Sequence, residues 1–150
     1  MPPPFAVTLA PVLAEWIVQS RNAALGQGVE QIPDSVREML SGYVPDEVLE
    51  RVRWRAGGSA FTLQQGAFMF DDAPAITLDY VIVFASRDAA LHDPKLWAHE
   101  VKHVMQYASW GVDEFAVRYL RDYQAVEQEA WDFRWQWMKD KNLMPVPAGQ

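Results

Sequence analysis

The stretch Trp97-Ala98-His99-Glu100-Val101-Lys102-His103-Val104-Met105-Gln106 constrains the chain more than any other. It holds two of the three histidines, four positions apart, with a glutamate beside the first. That spacing has a direct reading on an α-helix. Residues four apart lie on nearly the same face, one turn up, so His99 and His103 can present two imidazoles to one metal ion. Glu100 is offset around the helix, where its carboxylate reaches a metal-polarised water without being a ligand. This is the His-Glu-x-x-His pattern of zinc peptidases, in which the glutamate is general base. The rest of the chain has to hold such a helix, bring a further ligand to it and line a cleft.

The composition narrows the choice of that ligand. The chain has no cysteine, so thiolate ligation is excluded and a metal must be held by His, Asp or Glu. At 150 residues, with half of them hydrophobic and seven tryptophans, it is long enough for one domain with a packed core over residues 1–150. A net charge of -7 argues against a nucleic-acid partner or an anionic membrane surface. No apolar run is long enough to span a bilayer. The start, Met1-Pro2-Pro3-Pro4, lacks the features of a signal peptide. The compartment stays open between the cytoplasm and an exported mature form, and the oligomeric state is equally open.

Periodicity gives an α+β reading. Residues 1–6 read as an irregular proline-rich lead-in, and Thr8 to about Leu25 as a helix with Leu9, Leu13, Trp16, Ile17 and Ser20 on its core stripe. Gly26 and Gly28 end it. Two short helices come next, from Ile32-Pro33-Asp34-Ser35 to Leu40 and from Pro45-Asp46 through Leu49, both expected behind a sheet. Arg51 to Arg55 alternates charge with apolar residues, as a half-exposed strand does. Gly57-Gly58 marks a turn, 63–66 a loop, 67–70 another strand and 71–74 a turn. Ala75 to Phe84 reads as one long strand, rich in β-branched and aromatic residues. Asp71, Asp72 and Asp79 fit local hydrogen bonding better than calcium ligation. The sheet is short and mostly antiparallel.

Asp93 is placed to cap the metal helix, with Pro94 at its first position. His92 falls outside that helix and reads as surface. Trp110-Gly111 ends it. Val112 to Lys141 is compatible with helix throughout, its aromatics suiting core and cleft wall, and 142–150 reads as an irregular tail.

The acids downstream of the motif are Asp113, Glu114, Asp122, Glu127, Glu129, Asp132 and Asp140. The run Val126-Glu127-Gln128-Glu129-Ala130 resembles the third-ligand region of gluzincin peptidases of the HtpX-like group, whose pattern is Glu-x-x-Ala-Asp. That resemblance implies Glu127 as the third zinc ligand, with Ala130 at the alanine. Glu129 is the alternative, pointing about 200° away from Glu127 on a helix. Trp131 stands where that group has aspartate, which removes an acceptor for a ligand histidine and leaves Asp132 as the nearby substitute. A wider similarity runs through Ala75-Ile76-Thr77-Leu78, Leu96 to Gln106 and Glu127 to Ala130. These stretches are similar to the metallopeptidase-like core domain of bacterial extracellular contractile injection systems, whose helix reads His-Glu-Leu-x-His-x-x-Gln and is matched at Gln106. The resemblance implies a gluzincin-like fold, a bacterial source and a peptide or protein substrate.

Two functions stand as expectations. One is a Zn2+-dependent peptidase with His99, His103 and Glu127 on the metal, Glu100 as base, and Tyr107, Tyr119 or Tyr123 near the oxyanion. The other is a non-catalytic, metal-stapled binding or assembly module of a secretion or toxin system. A ligand role for Glu127 carries a geometric demand. A straight antiparallel helix leaving Gly111 would set Tyr119 level with His103 and carry Glu127 past by about 12 Å. The segment should therefore break between about Leu120 and Ala125, with Asp122 capping the second piece.

Overall fold

A computed structural model describes residues 3–57 and 74–144, and from residue 8 onward their side chains. The elements run in the order α1 (Pro3–Gln27), β1 (Glu30–Gln31), α2 (Asp34–Leu40), α3 (Asp46–Arg51), β2 (Arg53–Ala56), β3 (Ala75–Leu78), β4 (Val81–Phe84), α4 (Arg87–His92) and α5 (Pro94–Asp140). The fold is α+β, as expected: a four-stranded sheet with helices before and after it. The expectations for Gly58 and for 63–73 lie outside the described residues, as does most of the C-terminal tail.

The strand order is β1-β2-β4-β3. β1 pairs antiparallel with β2 and β3 antiparallel with β4, while β2 and β4 run parallel, Arg53 opposite Val81 and Ala56 opposite Phe84. The sheet is thus mostly antiparallel, with one non-local parallel junction in the middle. The stretch 75–84 is not one long strand. Asp79 adopts φ +60°, a left-handed conformation that aspartate tolerates better than most residues. The chain folds back there as a hairpin, Leu78 facing Val81. Arg21 holds Asp79 by an ion pair of 2.8 Å, tying α1 to the turn.

Both faces of this sheet are covered, which explains the fully buried β3 and β4. On one side Trp54, Ile82 and Phe84 pack with Val36 and Leu40 of α2, Leu49 of α3 and Trp97, Val101 and Trp137 of α5. Trp54, Phe84 and Trp97 meet at centroid distances of 4.8–5.9 Å. On the other side Leu78, Val81 and Val83 pack with Leu13, Ala14 and Ile17 of α1 and with Tyr107, Phe115 and Val126 of α5.

Several boundaries differ from the expectations. α1 begins at Pro3, not Thr8, with the early prolines in its first turn, where a missing N–H removes no helical bond. Its stripe is shifted: Ala10, Leu13, Ala14, Ile17 and Ser20 are buried, and Leu9 is exposed. α4 arises where no helix is expected, capped by the Ser86 hydroxyl on the Ala89 N–H.

The last helix is where the fold serves the site. Asp93 caps α5 through the Leu96 N–H, with Pro94 in its first turn. The helical hydrogen-bond pattern then runs on to Asp140, but two residues inside it are not helical: Gly111 at φ +79° and Asp122 at φ -159°, ψ 78°. Gly111 takes a conformation that costs a residue with a Cβ heavily. Asp122 lies inside the interval where the break is expected, and its carboxylate accepts from the Ala125 N–H at 3.2 Å. α5 is therefore three rods, residues 94–110, 112–121 and 123–140.

Candidate metal centre

The two kinks bring the third rod back against the first. His99 and His103 project from the first rod and Glu127 from the third, where Val126 and Ala130 anchor it in the core. One carboxylate oxygen, Glu127 Oε1, lies 3.0 Å from His99 Nε2 and 3.3 Å from His103 Nε2. Both histidines are buried and Glu127 is partly exposed. One potential ligand atom from each of the three residues lies within 4.8 Å of the others.

Two imidazole nitrogens and a carboxylate oxygen form a donor set suited to a borderline metal ion. A tetrahedral ion with arms of 2.0–2.1 Å separates its ligands by about 3.3 Å, which matches the Glu127 distances. The same distances also suit hydrogen bonds, so without a metal the three groups share protons. Burial alone would lower the His103 pKa, but the Glu127 hydrogen bond and charge outweigh it and raise it to about 9. Burial pushes Glu127 up, and the two imidazoles override it, holding the carboxyl well below the usual carboxylate range. His99, His103 and Glu127 could therefore hold a metal ion in exchange for protons.

Gln106, one turn beyond His103 and 2% exposed, fixes the His103 ring. Its amide N–H₂ donates to the Val126 carbonyl at 3.0 Å and to Glu129 at 3.2 Å. Its Oε1 must then face His103, and it accepts from Nδ1–H at 2.7 Å. This leaves the Nε2 lone pair free for a metal. Glu129, the alternative ligand, thus supports the amide from outside the cluster. Asp132 does not replace the expected aspartate, because it accepts from Gln128 on the surface. His99 is oriented by packing instead. Its Nδ1 is buried without a partner among the described residues, and its ring meets Trp131 at 4.8 Å and His103 at 5.1 Å, both edge-on.

Glu100 stands next to the cluster and outside it, with Oε2 4.0 Å from His99 Nε2. Thr77 on β3 donates to its Oε1 at 2.9 Å. Burial raises its pKa, against the charges of His103 and His99 and the Thr77 bond. Of the three tyrosines, Tyr107 is buried and donates to the Thr77 carbonyl at 3.2 Å, while Tyr119 donates to Glu127 Oε2 at 3.3 Å. Tyr123 lines the cleft from the third rod. His92 is exposed at the end of α4 and takes no part.

These groups open into a cavity of about 730 Å³, walled by α1, β3 and the second and third rods of α5. Consecutive residues Ala75 to Leu78 all line it. Side chains on a strand alternate between faces, so an unbroken run presents the strand's edge. Among the described residues β3 ends the sheet on this side. Sequence reasoning missed Thr77 and the Gln106 network. Gln106 carried a signal, three residues beyond a ligand on the same helical face, whereas Thr77 is joined to Glu100 only by the tertiary fold.

No curated protein and no solved structure matches the chain. A family match does exist, to the eCIS core domain over residues 31–111. It spans β1 to the end of the first α5 rod and includes His99, Glu100, His103 and Gln106; Glu127 lies beyond it. With more than half of its residues matched and both histidines of the cluster inside the match, the chain belongs to the eCIS core domain family, which relates it to extracellular contractile injection systems.

Proposed function

We propose that this chain is a zinc-dependent peptidase in which His99, His103 and Glu127 hold the metal and Glu100 is the general base. One observation carries the reading: Glu127 returns from 24 residues beyond His103 to meet both imidazoles, while Glu100 lies beside the cluster without joining it. Bound zinc would supply a Lewis acid and an acidified water. The chain's own residues do the rest. Glu100, buried and with a raised pKa, is suited to accept a proton and return it to a leaving amine. Thr77 fixes its carboxylate. The edge of β3 can pair with an extended peptide as an added strand, which favours an unfolded or loop substrate. Tyr107 donates to the Thr77 carbonyl and Tyr119 to Glu127 Oε2, and with Tyr123 both line the cavity, where a tyrosine hydroxyl would support developing negative charge.

The alternative is a metal-stapled assembly module of an injection system. It is favoured by Trp135, an indole 56% exposed on the third rod and outside the cavity lining. Cleavage decides between the two. Zinc-loaded wild type should cut an unfolded protein, and Glu100→Gln should keep its zinc and lose about a hundred- to ten-thousandfold in rate. Full activity in Glu100→Gln would remove the mechanism, and zinc-loaded wild type that cuts nothing would leave the module.

A further inference from the structure

We infer that Arg134 is a specificity residue of this cavity and receives a carboxylate of the substrate, placed within about three residues of the bond that is cut. The inference rests on the peptidase reading for the word substrate; the binding site itself does not.

Glu127, Trp131 and Arg134 are spaced by four and three residues on one helical rod, so they share a face, and all three line the cavity. Arg134 is the only arginine or lysine among the described residues that line it. Four of the nine arginines, Arg21, Arg37, Arg87 and Arg118, each meet a carboxylate, and none of these four lines the cavity. Arg134 meets none among the described residues. Its guanidinium instead lies over the Trp131 ring at 4.8 Å. Stacking of this kind holds the plane while leaving the N–H donors free for a bidentate carboxylate.

Position sets the register. Trp131 is itself 4.8 Å from the His99 ring, so Arg134 is two such steps from the metal cluster. The helix gives a similar measure, about 10 Å of axial rise between Glu127 and Arg134. An extended peptide advances about 3.3 Å per residue, which makes this a reach of about three residues. Charge agrees with the assignment. A divalent ion would neutralise Glu100 and Glu127, and Arg134 would then leave the cavity with one positive charge inside a protein of net charge -7. The carboxylate is that of an acidic side chain within an extended peptide.

The test uses the full chain loaded with zinc and two libraries of blocked octapeptides that differ only in one fixed residue, Glu or Gln. Binding is read on the Glu100→Gln form from the Trp131 indole N–H resonance, and cleavage on the wild type by mass spectrometry. The Glu library should bind about ten- to hundredfold more tightly, as for a charge-assisted bond with an ionised partner. That preference should vanish in Arg134→Gln and in Arg134→Met, and persist in Lys139→Gln. The two Arg134 variants guard against a folding defect in either one. Loss of the preference with no cleavage by wild type would uphold Arg134 and sink the peptidase reading. Cleavage without any Glu preference, or a preference that survives both Arg134 variants, would overturn the Arg134 assignment and leave the peptidase standing. Equal binding of both libraries without cleavage would overturn both.

Discussion

Gln106→Leu tests whether the site is held as the geometry implies. The side chain is buried, makes three hydrogen bonds, and has nearly the volume of leucine, so the change removes polarity without opening a large void. Its loss strands one buried partner, His103 Nδ1; the Val126 carbonyl sits inside the third rod, where the helix supplies its own donor, and Glu129 is exposed and can turn to water. An unsatisfied buried polar group costs about 1–3 kcal/mol. One such group, less some gain from a leucine in place of an amide, gives a loss of about 1–2 kcal/mol in folding stability. The second effect is specific to the site. Without the Oε1 acceptor, His103 can place its proton on Nε2 and face the metal with an N–H. Removing such a partner costs about ten- to hundredfold in metal affinity. Urea denaturation of the metal-free protein measures the first, and zinc competition with a chromophoric chelator the second. A variant that loses stability and keeps wild-type zinc affinity would refute the orienting role, and one that loses neither would refute the network.

The His103–Glu127 pair should make metal-free stability and zinc affinity respond oppositely to pH. His103 has its folded pKa raised from 6.5 to about 9, so its contribution is complete below pH 6.5 and lost as pH climbs through about 9. Glu127 is depressed, so its contribution is present above pH 4.5 and lost on acidification; Glu100, raised, adds to the loss at higher pH. Urea midpoints of the metal-free protein should fall from about pH 6 to about pH 9.5, less so in Glu127→Gln, while zinc affinity rises over the same range as the imidazole proton leaves; parallel trends would contradict the shared-proton picture. Asp122→Ala removes the cap on the third rod and should cost about 1 kcal/mol by chemical denaturation and weaken zinc binding; a variant with undiminished zinc affinity would show that the cap does not position Glu127.

Legibility in the sequence differs by element. The metal helix is legible at both ends because its signals are local: an aspartate before a proline, and a glycine after the last turn. The break at Asp122 is legible for another reason. Arg121-Asp122-Tyr123-Gln124 contains no glycine or proline, so propensity is silent there, and the need to bring Glu127 back to the histidines supplies what propensity lacks. The hairpin at Asp79 is hidden because two fully buried strands and their tight turn make one run rich in β-branched and aromatic residues, with no glycine or proline at the turn. The parallel pairing of β2 with β4 is non-local and leaves no mark in the pattern. The aromatic run from Trp131 to Met138 reads as one packed block, yet its members diverge: Trp137 and Met138 enter the core, Trp131 lines the cavity and Trp135 faces solvent. A helix distributes consecutive residues around its axis, so aromatic density alone does not tell which of them are buried.

The most direct measurement is zinc content together with zinc K-edge absorption on the purified chain, with His99→Ala and Glu127→Ala beside it. The account predicts one zinc per wild-type chain, a spectrum containing two imidazole shells and oxygen at about 2.0–2.2 Å, and loss of stoichiometric zinc in His99→Ala. Glu127→Ala should bind zinc far more weakly. One zinc per chain retained in His99→Ala, or a wild-type spectrum without imidazole scattering, would contradict it.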